Sequence, residues 1–301
     1  PDGNQIVFDL RKAETITDNG AIVWNWRENE ITPLGQDYAR RLAVAFSPDS
    51  RSLATAGLAD GIVRLRDESG ASVEFKAHQS QVVNLDFREN GSQLATASSD
   101  GTVRIWSVQS QELTLIKELP GSFRSVAFQP ESNQFIGQST SGVLQWFNSA
   151  GDSINQSQTS PVLFNAMTFS PDGQQLVALA ENKTLHSLTF TGELSRKFEG
   201  QYLPSNVAFS PNGQQVAVIG SDASNSLEPS DSKAIKILDV TSGKVVKSLP
   251  AMQTTSFNRV IWKPDNRILY ASLLRGVDGE TDNSVRLWDA VSEQQFATPL
   301  T

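Results

Sequence analysis

The octapeptide Ser99-Asp100-Gly101-Thr102-Val103-Arg104-Ile105-Trp106 decides how this chain is read. A turn opens it, and a short strand closes it on an apolar-X-apolar-aromatic ending. Equivalent endings carry Trp24, Arg66, Phe147, Leu188, Leu238 and Trp288, at successive steps of 42, 40, 41, 41, 50 and 50 residues. A period this long marks stacked supersecondary units, each unable to bury its own apolar face. It moves the question of function from catalysis toward binding.

A second marker runs in phase. Phe46, Phe87, Phe128, Phe169, Phe209 and Trp262 each end a short apolar run. Five of these lead into a proline turn: Ser47-Pro48-Asp49-Ser50, Gln129-Pro130-Glu131, Ser170-Pro171-Asp172-Gly173, Ser210-Pro211-Asn212-Gly213 and Lys263-Pro264-Asp265-Asn266. After Phe87 the turn is Arg88-Glu89-Asn90-Gly91. Proline presets φ at the first central position, and Asp, Asn or Gly suit the next. Each unit therefore reads as strand, tight turn, strand, turn, strand and a looser fourth strand. Val103 and Ile105 alternating with Thr102 and Arg104 give the period-2 signal of a half-buried strand.

At 301 residues the chain fits one large all-β domain spanning 1–301. Such a size buries roughly 75% of the unfolded surface, so no disulfide or metal staple is needed. There is no cysteine, which removes disulfides, thiolate nucleophiles and thiolate metal sites. No segment approaches the ~18 apolar residues of a membrane span. The net charge of −8, with no basic run, argues against nucleic acid and against an anionic membrane surface. A soluble, cytoplasmic, monomeric domain is expected. Pro1-Asp2-Gly3 matches the middle of a repeat, as in Pro171-Asp172-Gly173, so the sequence reads as part of a longer protein.

Two long steps locate the sizeable insertions, Ser221–Ser232 and Leu274–Asn283, both between the second and third strands of their units. Unit one has a smaller extension at the same place, Arg11–Thr17. If the array closes into a ring, three consecutive units carry their longest loops on one face. Insertions on one face of a repeat protein are common binding sites. Drift is the rival explanation, since loop closure costs little.

Trp288-Asp289, Ser98-X-Asp100-Gly101 followed by Trp106, and the repeated Phe-Ser-Pro-Asp/Asn-Gly turn together resemble the WD-repeat β-propeller family. The resemblance covers nearly the whole chain, and the style of the repeats resembles bacterial members. It implies a seven-bladed propeller of four-stranded antiparallel blades. It also implies a buried network of His, Ser, Asp and Trp in a conforming unit. Unit three matches in full with His78, Ser98, Asp100 and Trp106; Asp18 with Trp24 and Asp282 with Trp288 are partial versions. Arg66 stands where Trp is expected, and the pairs Ser141/Phe147 and Asn182/Leu188 lack the network. The Ser, His and Asp are thereby accounted for structurally, which removes a hydrolase reading. His186 alternates with Leu185 as a strand residue. Asp278-X-Glu280-X-Asp282 imitates a calcium loop, but Asn283 occupies the place where the sharp turn wants Gly. No metal and no cofactor is expected, since two histidines and no cysteine leave little for a zinc site.

Unit one shows second, third and fourth strands near Gln5–Leu10, Ala21–Trp26 and Glu30–Gly35 but no first strand, so the first blade lacks its innermost strand. Five residues before the inner-strand aromatics lie Arg41, Phe123, Phe164 and Phe257, with Arg124 and Arg259 nearby. In the family these positions enter the face that carries the second-to-third-strand turns. With Arg275 they form the candidate partner-binding set, because aromatics and arginine anchor interfaces. The rival reading has the three phenylalanines wedge between neighbouring blades. The reading is a non-catalytic scaffold whose protein or peptide partner docks on the face bearing the unit six, seven and one loops. One alternative is a structural spacer fused to an upstream catalytic or signalling domain. A propeller enzyme is a further rival, but the inner strands offer Ala, Val, Ser, Asn and Phe, with Asp86 as the main acid.

Overall fold

The computed structural model describes residues 5–10, 20–25, 28, 30–35, 43–56, 61–109, 112–121, 123–156, 163–180, 182, 184–189, 193–198, 202–222, 234–249, 255–262, 267–274, 285–289 and 295–297. The chain divides into two compact units, residues 1–9 with 17–163, and residues 10–16 with 164–301.

In the first unit β1 (Gln5–Leu10), β2 (Gly20–Asn25) and β3 (Glu30–Gly35) form a three-stranded sheet. The second sheet holds β4 (Ala43–Phe46), β5 (Ser52–Ala56), β6 (Ile62–Asp67) and β7 (Ser72–Lys76). The third holds β8 (Val82–Phe87), β9 (Gln93–Ser98), β10 (Thr102–Gln109) and β11 (Glu112–Pro120). The fourth holds β12 (Phe123–Phe128), β13 (Gln134–Ser139), β14 (Leu144–Asn148) and β15 (Ser153–Gln156).

In the second unit, the fifth sheet is β16 (Phe164–Phe169), β17 (Gln175–Ala180), β18 (Leu185–Thr189) and β19 (Leu194–Phe198). The sixth is β20 (Tyr202–Phe209), β21 (Gln215–Asp222), β22 (Ala234–Asp239) and β23 (Val245–Leu249). The seventh is β24 (Thr255–Trp262), β25 (Arg267–Leu274), β26 (Val285–Asp289) and β27 (Gln295–Ala297). Strand order follows chain order in every sheet. The six marker aromatics are the last residues of β4, β8, β12, β16, β20 and β24.

The proline turns close as their chemistry dictates. Ser47 Oγ donates to Asp49 Oδ1 at 2.6 Å and accepts the Ser52 N–H at 2.8 Å. Ser170 with Asp172, and Ser210 with Asn212, repeat this bond at 2.6 and 2.7 Å. Each serine is thus tied to the third turn residue and to the start of the next strand, an arrangement side-chain hydroxyls favour in turns.

In β10 the alternation holds from Thr102 to Ile105, buried Val103 and Ile105 against half-buried Thr102 and Arg104, but neighbouring β9 does not keep it. In β10, Val103 and Ile105 pack with Phe123, Phe128, Phe135 and Phe147 of the fourth sheet. Trp106 points the other way and packs with Ala54, Val63 and Leu65 of the second sheet. Sheets stacked on both sides bury both faces, so Leu94–Ser98 of β9 is buried throughout. The same stacking joins the fifth to the sixth sheet and the sixth to the seventh.

Register adds a feature that the periodicity does not show. In β8, β12, β16, β20 and β24 one residue near the strand start drops out of the ladder: Val83, Arg124, Asn165, Ser205 and Asn258. Outer strands bulge likewise at Ile116, Ile154 and Val246. A bulge turns its extra residue out of the packing. Val83 accordingly is 38% exposed beside a fully buried Val82.

Candidate functional site

The third sheet carries a buried hydrogen-bonded chain, and its direction follows from donor chemistry. An indole N–H only donates and a carboxylate only accepts. Trp106 Nε1 donates to Thr96 Oγ1 at 3.0 Å. Thr96 Oγ1 lies 2.6 Å from His78 Nε2, and His78 Nδ1 lies 3.0 Å from Asp100 Oδ2. The order is therefore Trp106 to Thr96 to His78 to Asp100, with His78 neutral and protonated on Nδ1. Burial pulls the His78 imidazole below its usual value and outweighs the Asp100 charge. Burial works against the Asp100 carboxylate, yet the Thr102 hydroxyl, the Gln79 N–H and His78 together hold it far below the usual carboxylate range.

Ser98 is not the hydroxyl in this chain. It accepts the Asp100 N–H at 3.1 Å and donates to the Ser80 carbonyl at 3.3 Å, so it braces the turn. Thr96 and Ser98 are two residues apart and share a strand face, so spacing alone does not separate them. A signal existed in the repeat: Leu53-Ala54-Thr55-Ala56 and Leu94-Ala95-Thr96-Ala97 set a buried threonine at the same register of adjacent sheets.

Two of the candidate partner anchors are core residues. Phe123 and Phe164 are each 5% exposed. Phe123 sits edge-on to Phe147 at 5.8 Å and covers Gly137. Phe164 lies edge-on to His186 at 5.8 Å. The bulge is the reason: the residue before it stays in the ladder and turns inward, and the bulge residue leaves it. The Phe123 and Phe164 positions are thus corrected from docking to packing. Phe257 holds the same register in β24 and Arg259 follows its bulge, while Arg124 is itself a bulge residue of β12. Side chains of these three, and of Trp24 on β2 and Trp288 on β26, lie outside the described residues, as do Asp18, Arg41, Arg275 and Asp282.

His186 is half-buried and meets Thr184 Oγ1 at 2.6 Å, with burial and then Lys197 holding its imidazole below the usual value. It belongs to a strand surface rather than to a ligand set. Among the described residues no group of three or more His, Cys, Asp or Glu stands ready for a metal ion.

Neighbouring sheets are also clipped together by polar side chains. Asn84 Oδ1 accepts the Val126 N–H and Asn206 Oδ1 accepts the Val260 N–H, both at 3.0 Å. Asp86 Oδ2 accepts the Phe128 N–H at 2.6 Å. The Arg88 guanidinium donates to the Ser132 carbonyl at 3.1 Å, and Arg196 to that of Ser242 at 3.0 Å. A cleft of about 350 Å³ lies between the 88–92 and 129–133 turns, lined by Arg88, Glu89, Asn90, Glu131, Ser132 and Asn133. It opens at the opposite end of the sheets from the second-to-third-strand loops.

Antiparallel meanders, six of them four-stranded, stacked face to face within each unit, define the class of β-propellers. Residues 39–67 and 71–107 match the WD domain, G-beta repeat family, and the chain has a β-propeller fold. It is similar to the periodic tryptophan protein 2 homolog of Caenorhabditis elegans, 23% identical over 87% of this chain and 30% of that protein. It is similar to actin-interacting protein 1 of Drosophila melanogaster, 34% identical over 45% of this chain and 23% of that protein. The chain thus spans less than a third of the length of these two relatives. The β-propeller domain of Myceliophteria thermophila Cps50 (Swd1) superposes with a TM-score of 0.71 at 16% identity, covering 95% of this chain and all of that one. These relatives are animal and fungal, with Arabidopsis thaliana proteins beside them, and they give no support to a bacterial style of repeat.

Proposed function

We propose that this propeller is a non-catalytic interaction scaffold that binds a protein or peptide partner at the end of the sheets where the inner strands begin. The observation that carries the reading is the recurrent bulge. Five inner strands expel one residue at the same register, at the end where the long loops leave their sheets. In the sixth and seventh sheets those loops run from Asp222 to Ala234 and from Leu274 to Val285, and in the first from Leu10 to Gly20. A rigid framework presenting bulged backbone beside long loops suits recognition. Names such as actin-interacting protein and transcriptional corepressor among the relatives fit a scaffold, without giving the partner here.

The anchors on this reading are Val83 and the other bulge positions, Arg124 among them, together with Arg41, Arg259 and Arg275. The test is affinity capture, comparing the intact protein with a variant trimmed of residues 222–231 and 275–281, and with Val83→Glu. Loss of the captured protein in either variant, with the melting temperature held, is the expected result. Capture indifferent to both variants would move the site elsewhere and sink this placement.

A further inference from the structure

We propose that Asp86 and Asn84 receive a cationic side chain, lysine or arginine, that a bound partner extends along the inner strands. This rests on the reading that a partner protein is bound, but not on which end of the sheets it approaches.

The first observation is a break in the repeat. The residue before each strand-ending aromatic is Ala45, Asp86, Ala127, Thr168, Ala208 or Ile261, so β8 alone puts an acid there. The second is geometry. Asn84 and Asp86 are two residues apart and project from one face of β8. Each spends one oxygen on a backbone N–H of β12, at 3.0 and 2.6 Å. Those bonds hold both side chains in place before any ligand arrives, which lowers the entropic cost of binding.

The third observation is charge. Asp86 keeps some exposed surface, yet protein atoms crowd its carboxyl so closely that burial pushes it up to about 7, against the pull of the Phe128 and Phe87 amides. Among the described residues no cation offsets that burial. The residues of β4, β5 and β9 are uncharged, and Asp86 is the sole charged residue of β8. Arg124 of β12 stands four residues before Phe128, about 13 Å along the strand. Arg88 turns its guanidinium onto Gln93, Ser132 and Asn133. A buried acid without a counter-charge gains most from an arriving cation. An amine or guanidinium fits better than a metal ion, because the pair offers two side-chain ligands at most and metal sites want more.

The test uses the full chain, ¹⁵N-labelled, and n-butylammonium and methylguanidinium chlorides as probes. Sodium chloride at equal ionic strength is the baseline, and acetamide the neutral control. The Phe128 and Val126 amides report directly. Saturable shifts are expected with both cations at pH 8, with affinity at least tenfold weaker at pH 5.5, where Asp86 is protonated. His78 and His186 also titrate in this range, but one is enclosed by Thr96 and Asp100 and the other lies on β18. Asp86→Asn keeps an acceptor for Phe128 and should abolish the response, and Asn84→Ala should weaken it. Absence of a saturable shift above the baseline, an equal shift with acetamide, or an undiminished shift in Asp86→Asn overturns the proposal. If Asp86→Asn does not fold, the pH series and the acetamide control on the wild type still decide it. Loss of captured partner in the loop-trimmed variant beside a silent titration would leave the scaffold reading standing and remove this one.

Discussion

Trp106 and Asp100 fix the two ends of the buried chain in the third blade, and everything between them must be both donor and acceptor. Thr96 and neutral His78 fill that need. Thr96→Val keeps the shape of the side chain but strands the indole N–H and His78 Nε2 without partners. Each buried, unpaired group costs about 1–3 kcal/mol, so a loss of about 2–6 kcal/mol is expected. Ser98→Ala removes a turn brace and should cost about 1 kcal/mol. Urea denaturation of the two variants, with Thr96→Ser as the conservative control, measures the difference. A Ser98→Ala loss equal to that of Thr96→Val would mean that the serine, not the threonine, holds the chain together. From sequence, the roles of His78, Asp100 and Trp106 came from family resemblance, and the hydroxyl was misassigned by one step of the period-2 pattern. Two hydroxyls on one strand face differ only in which one meets the imidazole, and that is a matter of register between strands.

Blades three and four solve the same packing problem with different elements. Register places Gly137 of β13 where β9 has Thr96, Phe123 where β8 has Val82, and Phe147 where β10 has Trp106. The aromatic rings replace the polar chain. Phe123 meets Phe147 edge-on at 5.8 Å, and Phe147 stacks on Phe135 at 5.0 Å. A Cβ added at Gly137 would lie 2.9 Å from Phe123 Cδ1, too close for any real contact. Gly137→Ala should therefore cost about 1–3 kcal/mol through overpacking. Phe123→Leu, which shortens the intruding ring, should make the double variant less destabilised than the two single losses added together. Stability measurements on the four proteins of that cycle would show it, and strict additivity would mean that the two residues do not compete for the same space. Strand positions and turns were legible because each is a local signal: a marker aromatic, a proline, a period of two. The bulges were not, since an unpaired residue exists only relative to the neighbouring strand. That is why the sequence leaves Phe123 and Phe164 open between docking anchors and blade packing, which their burial decides for packing, and why it gives no sign of the exposure of Val83.

Blades buried on both faces make the first unit a stack in which each seam belongs to two sheets. Ile105 is fully buried and faces the fourth sheet, whereas Trp106, one residue on, faces the second. Stability in such an array is the sum of sheet terms and nearest-neighbour seams. Ile105→Ala should cost about 2–5 kcal/mol, since it empties a filled core. The loss should be felt unevenly. Amides of β9, β10, β12 and β13, which border the seam, should exchange faster with solvent, while those of β5 and β6 beyond the opposite face should change much less. Trp106→Phe should reverse the pattern, loosening β5 and β6 and sparing β12 and β13, because its ring enters the other seam. Native-state hydrogen exchange on the two variants separates the possibilities. A uniform rise across all strands of the unit in both would show that its sheets open only together, and that seams do not act as separate energetic joints.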